Sequence, residues 1–415
     1  MFEPHLNQRE RQIEWPMWLA IAMLMAIGVA FIFSATSAYD TMSLWQRFRR
    51  GSPSSFLSWL VHQSYCKQVL AYGLGLAAAA AFCLVDYGRL ARWSLVLYWF
   101  SIGLLVAVLS PHLGTEAGGA RRWFDLGFFN FQPSEFAKLA ILLGLANFLS
   151  RPEEELRMPS NFFRALVMTL LPFLLIVKEP DIGSAIVLVP CCLVMMFVAG
   201  VPGVYLKRLL VSGVVFAGLI LVDVLFAPPG WRIPLEEYQR DRLLVYFGRD
   251  FAPRNATAAE RQRSRERQFN RSRNVEQALI SVGSGGITGK GWRQGTQNVL
   301  GYLPHGVAHN DFIFSVIAEE KGFMGSAAIL ALYTVILFTG IKIAGRARDR
   351  LGKLLAIGIV TMLFSHVFIN IGMNIRIMPV TGIPLPLLSY GGTSVLCSLV
   401  AIGILQSIYI YRRSY

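Results

Sequence analysis

Long apolar runs separated by short polar turns make up most of the chain. A run of about 20 apolar residues has the length of a helix that crosses a membrane. Ten such runs are predicted, at about Pro16–Ala38, Lys67–Val85, Trp93–Ser110, from Pro133 onward, Phe163–Val177, Ile182–Gly200, Leu209–Phe226, Phe323–Ala344, Leu354–Asn374 and Thr393–Tyr411. The pattern predicts an all-α polytopic membrane protein, and we expect residues 1–415 to form a single transmembrane domain.

The connections between these runs are short except for one long loop, residues 227–310. An even number of spans places both termini on one side of the membrane. Lysines and arginines of the short loops gather on that side, which marks it as cytoplasmic. The residues concerned are Arg89, Arg92, Lys207, Arg208, Arg346, Arg348, Arg350, Lys353, Arg412 and Arg413. We therefore expect a protein of the cytoplasmic membrane whose long loop is extracytoplasmic.

Composition supports this class of protein. The 415 residues are 54% hydrophobic and 15% charged, which is too apolar for a soluble domain of this length. The net charge of +14 would suit nucleic acid, but membrane proteins place such charge in loops at lipid headgroups. We expect membrane lipids and no nucleic acid as partners. The cysteines and histidines have no metal-ligand spacing, so no metal site is predicted from them.

The charged start MFEPHLNQRERQIEW leads into an apolar run long enough to span, so we expect the first helix to remain as an anchor. Within the long loop, the arginine-rich stretch that includes Arg261 to Arg273 has few hydrophobic residues and predicts a flexible solvated segment. The glycine-rich stretch SVGSGGITGKGW follows. Its backbone N–H groups suit a phosphate or sugar, with Lys290 beside them, but tight turns alone would also explain the glycines.

Asp311 lies where the long loop returns to the membrane, between His309 and the apolar run that begins at Phe312. A carboxylate at such a boundary is costly unless it is paired or used, so Asp311 is a candidate functional residue, with His309 beside it.

Other polar groups are predicted on the same side. Glu135 and Lys138 share a helix face and can neutralise each other, and Arg121 and Arg122 suit a phosphate or, alternatively, interfacial anchoring. Asp181 either caps the sixth span or pairs with Lys138.

The segment from Asn370 to Ser394 interrupts an apolar region with prolines and glycines and contains the candidate Ser389. It is typical of backbone folded against the bundle, either as a structural plug or as part of a binding site. Together these groups place acids, a lysine and several arginines at one membrane face. Such a site would suit an amphiphilic substrate that carries phosphate.

Six motifs in order resemble the SEDS family (shape, elongation, division and sporulation), the RodA and FtsW peptidoglycan polymerases. They are GARRWFDLGFFNFQPSEFAK, EPDIGSA, YQRDRL, SVGSGGITGKGW, HNDFIFSVIAEE and MPVTGIPLPLLSYGG, and TGIPLP is most similar to the RodA branch. The resemblance implies a ten-helix glycosyltransferase that polymerises lipid II on the outer face, for elongation and shape, with a class B penicillin-binding protein. It also implies that Asp311 is catalytic, that Glu135 and Lys138 match PSEFAK, and that Asp181 matches QPDLG.

The chain departs from the family pattern in three places. LPHGVAHND replaces a shorter run with a glutamate, Arg376 stands where glycine is more usual, and the arginine-rich stretch is an insertion. The hypothesis for the chemistry is that Asp311 removes a proton from the acceptor hydroxyl. Arg121 and Arg122, with Lys138 or a divalent cation such as Mg²⁺ or Mn²⁺, would stabilise the departing diphosphate. The alternatives are a transporter of lipid-linked precursor and a structural scaffold.

Overall fold

The computed structural model describes residues 13–37, 63–111, 113–117, 120–125, 127, 130–227, 237–251, 258–303 and 307–413. The first twelve residues of the charged N-terminal stretch, most of the polar segment after the first span, and Pro304 to Gly306 of the divergent LPHGVAHND run lie outside the described residues.

Helices dominate the described chain. They are α1 (Trp15–Ser37), α2 (Ser64–Leu84), α3 (Tyr87–Arg92), α4 (Ser94–Val108), α5 (Pro133–Leu149), α6 (Glu153–Leu156), α7 (Pro159–Lys178), α8 (Ile182–Val198), α9 (Gly203–Phe226), α10 (Glu237–Tyr246), α11 (Ala258–Ser284), α12 (Thr296–Val299), α13 (Ile313–Gly345), α14 (Arg350–Asn374) and α15 (Gly392–Ile410), followed by a 3₁₀ turn at Tyr411–Arg413.

Each predicted span corresponds to one of these helices. Among the described residues, α1, α2, α7, α9, α13, α14 and α15 are long and apolar enough to cross a membrane. The helices α4 and α8 are shorter apolar helices, and α5 matches the remaining span, which contains Glu135 and Lys138. The prediction of an all-α, multi-pass membrane protein is confirmed.

A small antiparallel sheet is the only β structure in the described residues. Its strands are β1 (Thr115–Ala117), β2 (Ala120–Asp125) and β3 (Asn130–Phe131), in the order β1-β2-β3. The sheet occupies the connection between α4 and α5, and Thr393 Oγ1 of α15 donates a hydrogen bond to the Asn130 carbonyl at 2.7 Å. The polar loop after α4 is therefore fastened to the bundle.

The centre of the bundle is formed by α5, α14 and α15, most of whose residues are buried. Small residues let α2 approach α15 closely: a Cβ added at Gly403 would lie 2.6 Å from the Ala79 carbonyl oxygen. Such contacts are typical of helix packing inside membranes, where close backbone approach provides the attraction. By contrast, α9 has little of its surface buried within the protein, as expected for a helix that faces lipid.

Two polar contacts define the ends of the bundle. Glu14, just before α1, forms an ion pair of 3.0 Å with Lys342 near the end of α13. At the other end of the same two helices, Ser34 Oγ donates to Glu320 Oε1 at 2.5 Å. Because α1 and α13 run antiparallel, we refer to the end with Glu14 and Lys342 as the Glu14 end, and to the opposite one as the Asp311 end.

A break at Gly322 divides α13 into two helical segments. Gly322 has φ 64° and ψ −159°, which is outside the helical region. The predicted eighth span started at Phe323, directly after the break, and the sequence prediction missed the first segment, which begins at Ile313. That first segment is almost completely buried, from Ile313 to Glu320. Its apolar residues are packed in protein on all sides, so no lipid-facing stripe signals it in the sequence.

The glycine-rich loop, residues 285–291, completes the hydrogen bonding at this break. Backbone donors after the break bond to the loop, and backbone donors of the loop bond to the end of the first segment, which satisfies groups that a broken helix leaves open. The bonds are Phe323 N to Gly286 O at 2.8 Å, Met324 N to Ile287 O at 3.1 Å, Lys290 N to Glu319 O at 3.0 Å and Gly291 N to Glu320 O at 3.0 Å.

The arginine-rich stretch is helical, which corrects the prediction of a flexible segment, while the exposure of most of its residues agrees with the prediction that it is solvated. It forms the first part of α11, whose later residues Ala278 and Ser281 are buried. Arginine, glutamate, glutamine and alanine are good helix formers, and packing at one end of a helix supplies the tertiary support that an isolated polar helix lacks.

Candidate active site at the Asp311 end

Asp311 lies two residues before the first segment of α13 and is held by α14. Its backbone carbonyl accepts hydrogen bonds from the side-chain amides of Asn370 and Asn374, both at 3.1 Å. These asparagines are one helical turn apart on α14, and Asn370 also donates to the Ile383 carbonyl at 2.7 Å. The Asp311 side chain is half-buried. Hydrogen bonds thus hold the Asp311 backbone in place, while its side chain remains partly exposed.

The proline- and glycine-rich segment between α14 and α15 is tied to the residues before Asp311. Ser389 Oγ donates to the Asn310 carbonyl at 2.5 Å, and Tyr390 N donates to the His309 carbonyl at 3.0 Å. The His309 ring lies 5.3 Å from the Tyr390 ring. The Ser389 hydroxyl therefore binds the backbone next to Asp311.

Two arginines act on the Asp311 carboxylate. Arg242, on α10, donates to the Thr381 carbonyl at 3.1 Å, and Arg122, on β2, donates to the carbonyls of Glu179 and Pro180. Gly382 has φ 76° and lies between the Asp311 carboxylate and the Arg242 guanidinium. A Cβ at this position would be 3.6 Å from Asp311 Oδ2 and 3.8 Å from Arg242 Nη2. A side chain at that position would occupy the space where the two groups face each other.

The pKa of Asp311 is raised to about 6, mainly by burial, while Arg242 and Arg122 lower it and Asp181 raises it further. A carboxylate with this pKa is ionised at neutral pH yet basic enough to accept a proton. Burial lowers the pKa of His309 to about 4, so this neighbour is a neutral imidazole at pH 7.

Asp181 caps the start of α8. Its Oδ1 accepts from Ser184 N at 3.2 Å, and its Oδ2 accepts from Gln132 at 2.9 Å and from Ser134 at 3.0 Å. Burial raises the pKa of Asp181, but Arg122 and the hydrogen bonds from Ser184 outweigh it and keep the pKa below its ordinary value. Asp181 is therefore ionised, and it is the capping interpretation that the contacts match.

Glu135 and Lys138 form the expected pair inside the bundle. Lys138 Nζ lies 2.8 Å from Glu135 Oε1, and both side chains are buried. The second contact of Lys138 is His366 Nε2 on α14, at 2.7 Å. Of the two alternatives for Asp181, direct pairing with Lys138 does not match the structure, since the Asp181 oxygens bond to Gln132, Ser134 and Ser184.

Arg121 and Arg122 do not form one fork. They are neighbours on β2, where successive side chains point to opposite faces, and the Arg121 backbone lies opposite that of residue 116 on β1. Arg122 and Arg242 are the arginines whose charge acts on Asp311. The second arginine of the site thus comes from the long loop, in the YQRDRL motif.

Lys290 belongs to a separate cluster. It forms an ion pair of 2.6 Å with buried Glu319 and donates to Thr296 Oγ1 at 3.2 Å. No group of three or more His, Cys, Asp or Glu in the described part of the chain is arranged to hold a metal ion. Arg122 and Arg242, and not Lys290, are therefore the cations that act on Asp311 in the described part of the chain.

Sequence reasoning did not single out Arg242, Gly382, Asn370, Asn374 or Glu179 individually. The two asparagines at positions i and i+4 within an apolar span were a usable signal, because paired polar residues on one helix face of a span require a partner.

A family model described as "Cell cycle protein" (FtsW, RodA, SpoVE) matches residues 14–414, and the chain belongs to this family of multi-pass membrane proteins. Among its relatives, "Peptidoglycan glycosyltransferase MrdB" of Escherichia coli (strain K12) is 38% identical over 323 residues, covering 77% of this chain and 79% of that protein. "Stage V sporulation protein E" of Bacillus subtilis (strain 168) is 35% identical over 396 residues, covering 94% and 95%.

Solved structures agree with the fold. The chain is similar to one described as "Structural coordination of polymerization and crosslinking by a peptidoglycan synthase complex", with TM-score 0.73 and 27% identity over 97% of this chain and 99% of that chain. It is also similar to the rod shape determining protein RodA of Thermus thermophilus, with TM-score 0.61 and 27% identity over 97% and 98%. The RodA-like character expected from TGIPLP is supported.

Proposed function

We propose that the protein is a peptidoglycan glycosyltransferase that polymerises lipid II into glycan strands. The names of its relatives support the reaction class. The observation that carries the proposal is the half-buried Asp311 carboxylate, with a pKa raised to about 6 and two arginines acting on it. A sugar diphosphate needs such a base on the attacking hydroxyl and positive charge on the leaving diphosphate.

The proposed step is a single displacement. Asp311 accepts the proton of the acceptor sugar hydroxyl while the hydroxyl oxygen bonds to the anomeric carbon of the other sugar. The bond from that carbon to the diphosphate breaks, and the diphosphate leaves with the electron pair, stabilised by Arg122 and Arg242. One base and no covalent carboxylate intermediate are required, so the anomeric configuration is inverted.

Polymerisation of lipid II by purified protein with its cognate transpeptidase tests this role. Asp311→Asn keeps the shape and removes the base, and we expect a rate loss of about 100-fold or more. Asp250→Asn removes an exposed acid of the same long loop, as the matched control, and should retain the wild-type rate. Wild-type polymerisation by folded Asp311→Asn protein would refute the assignment. Transfer of lipid II across vesicles without polymer would favour a transporter.

We also propose that a class B penicillin-binding protein is the partner and that the Asp311 end faces the outside of the cytoplasmic membrane. The similar peptidoglycan synthase structure supports the first point. The short-loop arginines near the Glu14 end, such as Arg348 paired with Asp86 at 3.5 Å, support the second. Labelling of Asp250→Cys by an impermeant thiol reagent on intact cells, above the wild-type background, tests the orientation. Labelling only after permeabilisation would reverse it.

A further inference from the structure

Glu179 is a buried carboxyl that the mechanism above does not use. It follows the last residue of α7, in the two-residue turn before Asp181, and its backbone N–H still bonds to the Leu175 carbonyl at 3.0 Å. Its side chain has no exposed surface, and neither carboxyl oxygen has a hydrogen-bond partner among the described residues. An ionised carboxylate in that position would be very costly, so the side chain is expected to hold a proton.

The charges around Glu179 agree with this assignment. Burial is the main cause that raises the pKa of Glu179 to about 9, Asp181 raises it further, and Arg122 lowers it. Arg122 directs its guanidinium to the backbone carbonyls at 179 and 180. Tyr238 of α10 donates to the same Pro180 carbonyl, and Lys178 on the α7 side is exposed.

Because a neutral Glu179 carries no negative charge, Arg122 interacts electrostatically with the two ionised acids of the site, Asp181 and Asp311. Arg122 lowers the pKa of both Asp181 and Asp311. If Glu179 lost its proton, a third negative charge would compete for Arg122 and would repel Asp181. The guanidinium would then be drawn from the turn carbonyls and from the position facing Asp311.

We propose that Glu179 is a positioning residue whose proton holds Arg122 on the turn between α7 and α8 and directs its charge toward Asp181 and Asp311. The consequence for activity rests on the proposed transferase function, whereas the protonation of Glu179 does not.

Thermal unfolding in detergent between pH 5 and pH 8 tests the proton directly. When the pKa of an acid is higher in the folded than in the unfolded protein, its contribution to folding stability is complete at a pH below the unfolded-state pKa. That contribution is lost as the pH rises toward the folded-state pKa. Gln at position 179 in the Glu179→Gln variant cannot ionise. We therefore expect the melting temperature of the variant, relative to that of the wild type, to increase steadily from pH 5 to pH 8. Asp125→Asn, an exposed acid on β2, is the matched control and should not show this trend. A constant difference for Glu179→Gln would mean that Glu179 is ionised when folded and would overturn the proposal.

The pH profile of lipid II polymerisation tests the positioning role. We expect wild-type activity to fall above about pH 9, and Glu179→Gln to match the wild type at pH 7 but to lack this alkaline fall. The same alkaline fall in both proteins, or an inactive but folded Glu179→Gln at pH 7, would overturn the role. If the wild type itself made no polymer, the proposed function would fail, while the melting experiment would still decide whether Glu179 is protonated.

Discussion

At the scale of single residues, the proposed role of Asp311 as the base predicts that activity depends on pH. Its pKa is raised to about 6, and only the ionised form accepts a proton. Activity should therefore be lost as pH falls through about 6, by about tenfold per unit below it. Arg242 lowers this pKa, so Arg242→Gln should move the fall to higher pH. The measurement is kcat/KM for lipid II against pH.

Arg249, an exposed arginine just beyond α10, provides the matched control, because Arg249→Gln removes the same charge farther along the loop. An acid limb that does not move in Arg242→Gln would show that Arg242 does not act on the group that titrates.

The backbone conformation of Arg376 predicts that glycine at this position would stabilise the protein. It has φ 59°, a left-handed conformation that glycine adopts freely and other residues adopt at a cost. A left-handed backbone at position 376 agrees with the expectation, drawn from the family resemblance, that glycine is more usual there. Arg376→Gly should stabilise the protein by about 1 kcal/mol, measured by thermal unfolding. Arg346→Gly, at the negative-φ end of α13, should not stabilise, and an equal gain there would remove the backbone explanation.

At the scale of elements, the junction between the glycine-rich loop and α13 depends on close backbone approach. A Cβ at Gly289 would lie 2.2 Å from the Glu320 carbonyl oxygen, whereas a Cβ at Gly286 would meet nothing within 4 Å. Both glycines have positive φ, of 81° and 57°. Gly286→Ala should cost about 1 kcal/mol through backbone strain alone, and Gly289→Ala about 1–3 kcal/mol more.

Thermal unfolding of the two alanine variants measures this difference, because their shared strain cancels. Equal melting temperatures would mean that the loop does not pack against α13 as closely as the structure has it.

The sequence predicted some elements better than others for physical reasons. Spans such as Leu354–Asn374 are apolar over the length of a membrane, so length and hydropathy located them. The first segment of α13 is shorter than a span and carries Glu319 and Glu320, so hydropathy began the eighth span only after it, at Phe323. The helix α11 was taken as flexible because its support comes from packing, which composition does not contain. In the site, Lys138 and Glu135 followed from i,i+3 spacing, whereas Arg242 reaches Asp311 only through the fold.

At the scale of the whole molecule, the depth of an ion pair within the bundle decides its importance. Lys138 and Glu135 are both buried inside the bundle, while the Lys342 side chain, paired with the buried Glu14, is 40% exposed. Lys138→Met should cost about 3–5 kcal/mol, because it leaves Glu135 buried without its cation. Lys342→Met also leaves a buried acid, Glu14, without its cation, but the half-exposed Lys342 position is open to water, so we expect a smaller cost of about 1–3 kcal/mol.

Thermal unfolding compares the two methionine variants, and Lys138→Met combined with Glu135→Gln should recover part of the loss, since the uncompensated charge is gone. Equal losses for both single variants would contradict the ranking by depth.

The break at Gly322 also has a mechanical consequence. An unbroken helix of 33 residues would act as a single rod about 50 Å long, and any tilt at one end would be carried to the other. With the break, bending stiffness is lost at one point near the Asp311 end. The short segment that follows Asp311 is therefore held by the glycine-rich loop and by α14, and a tilt of the long segment at the Glu14 end is not carried along one continuous rod to Asp311.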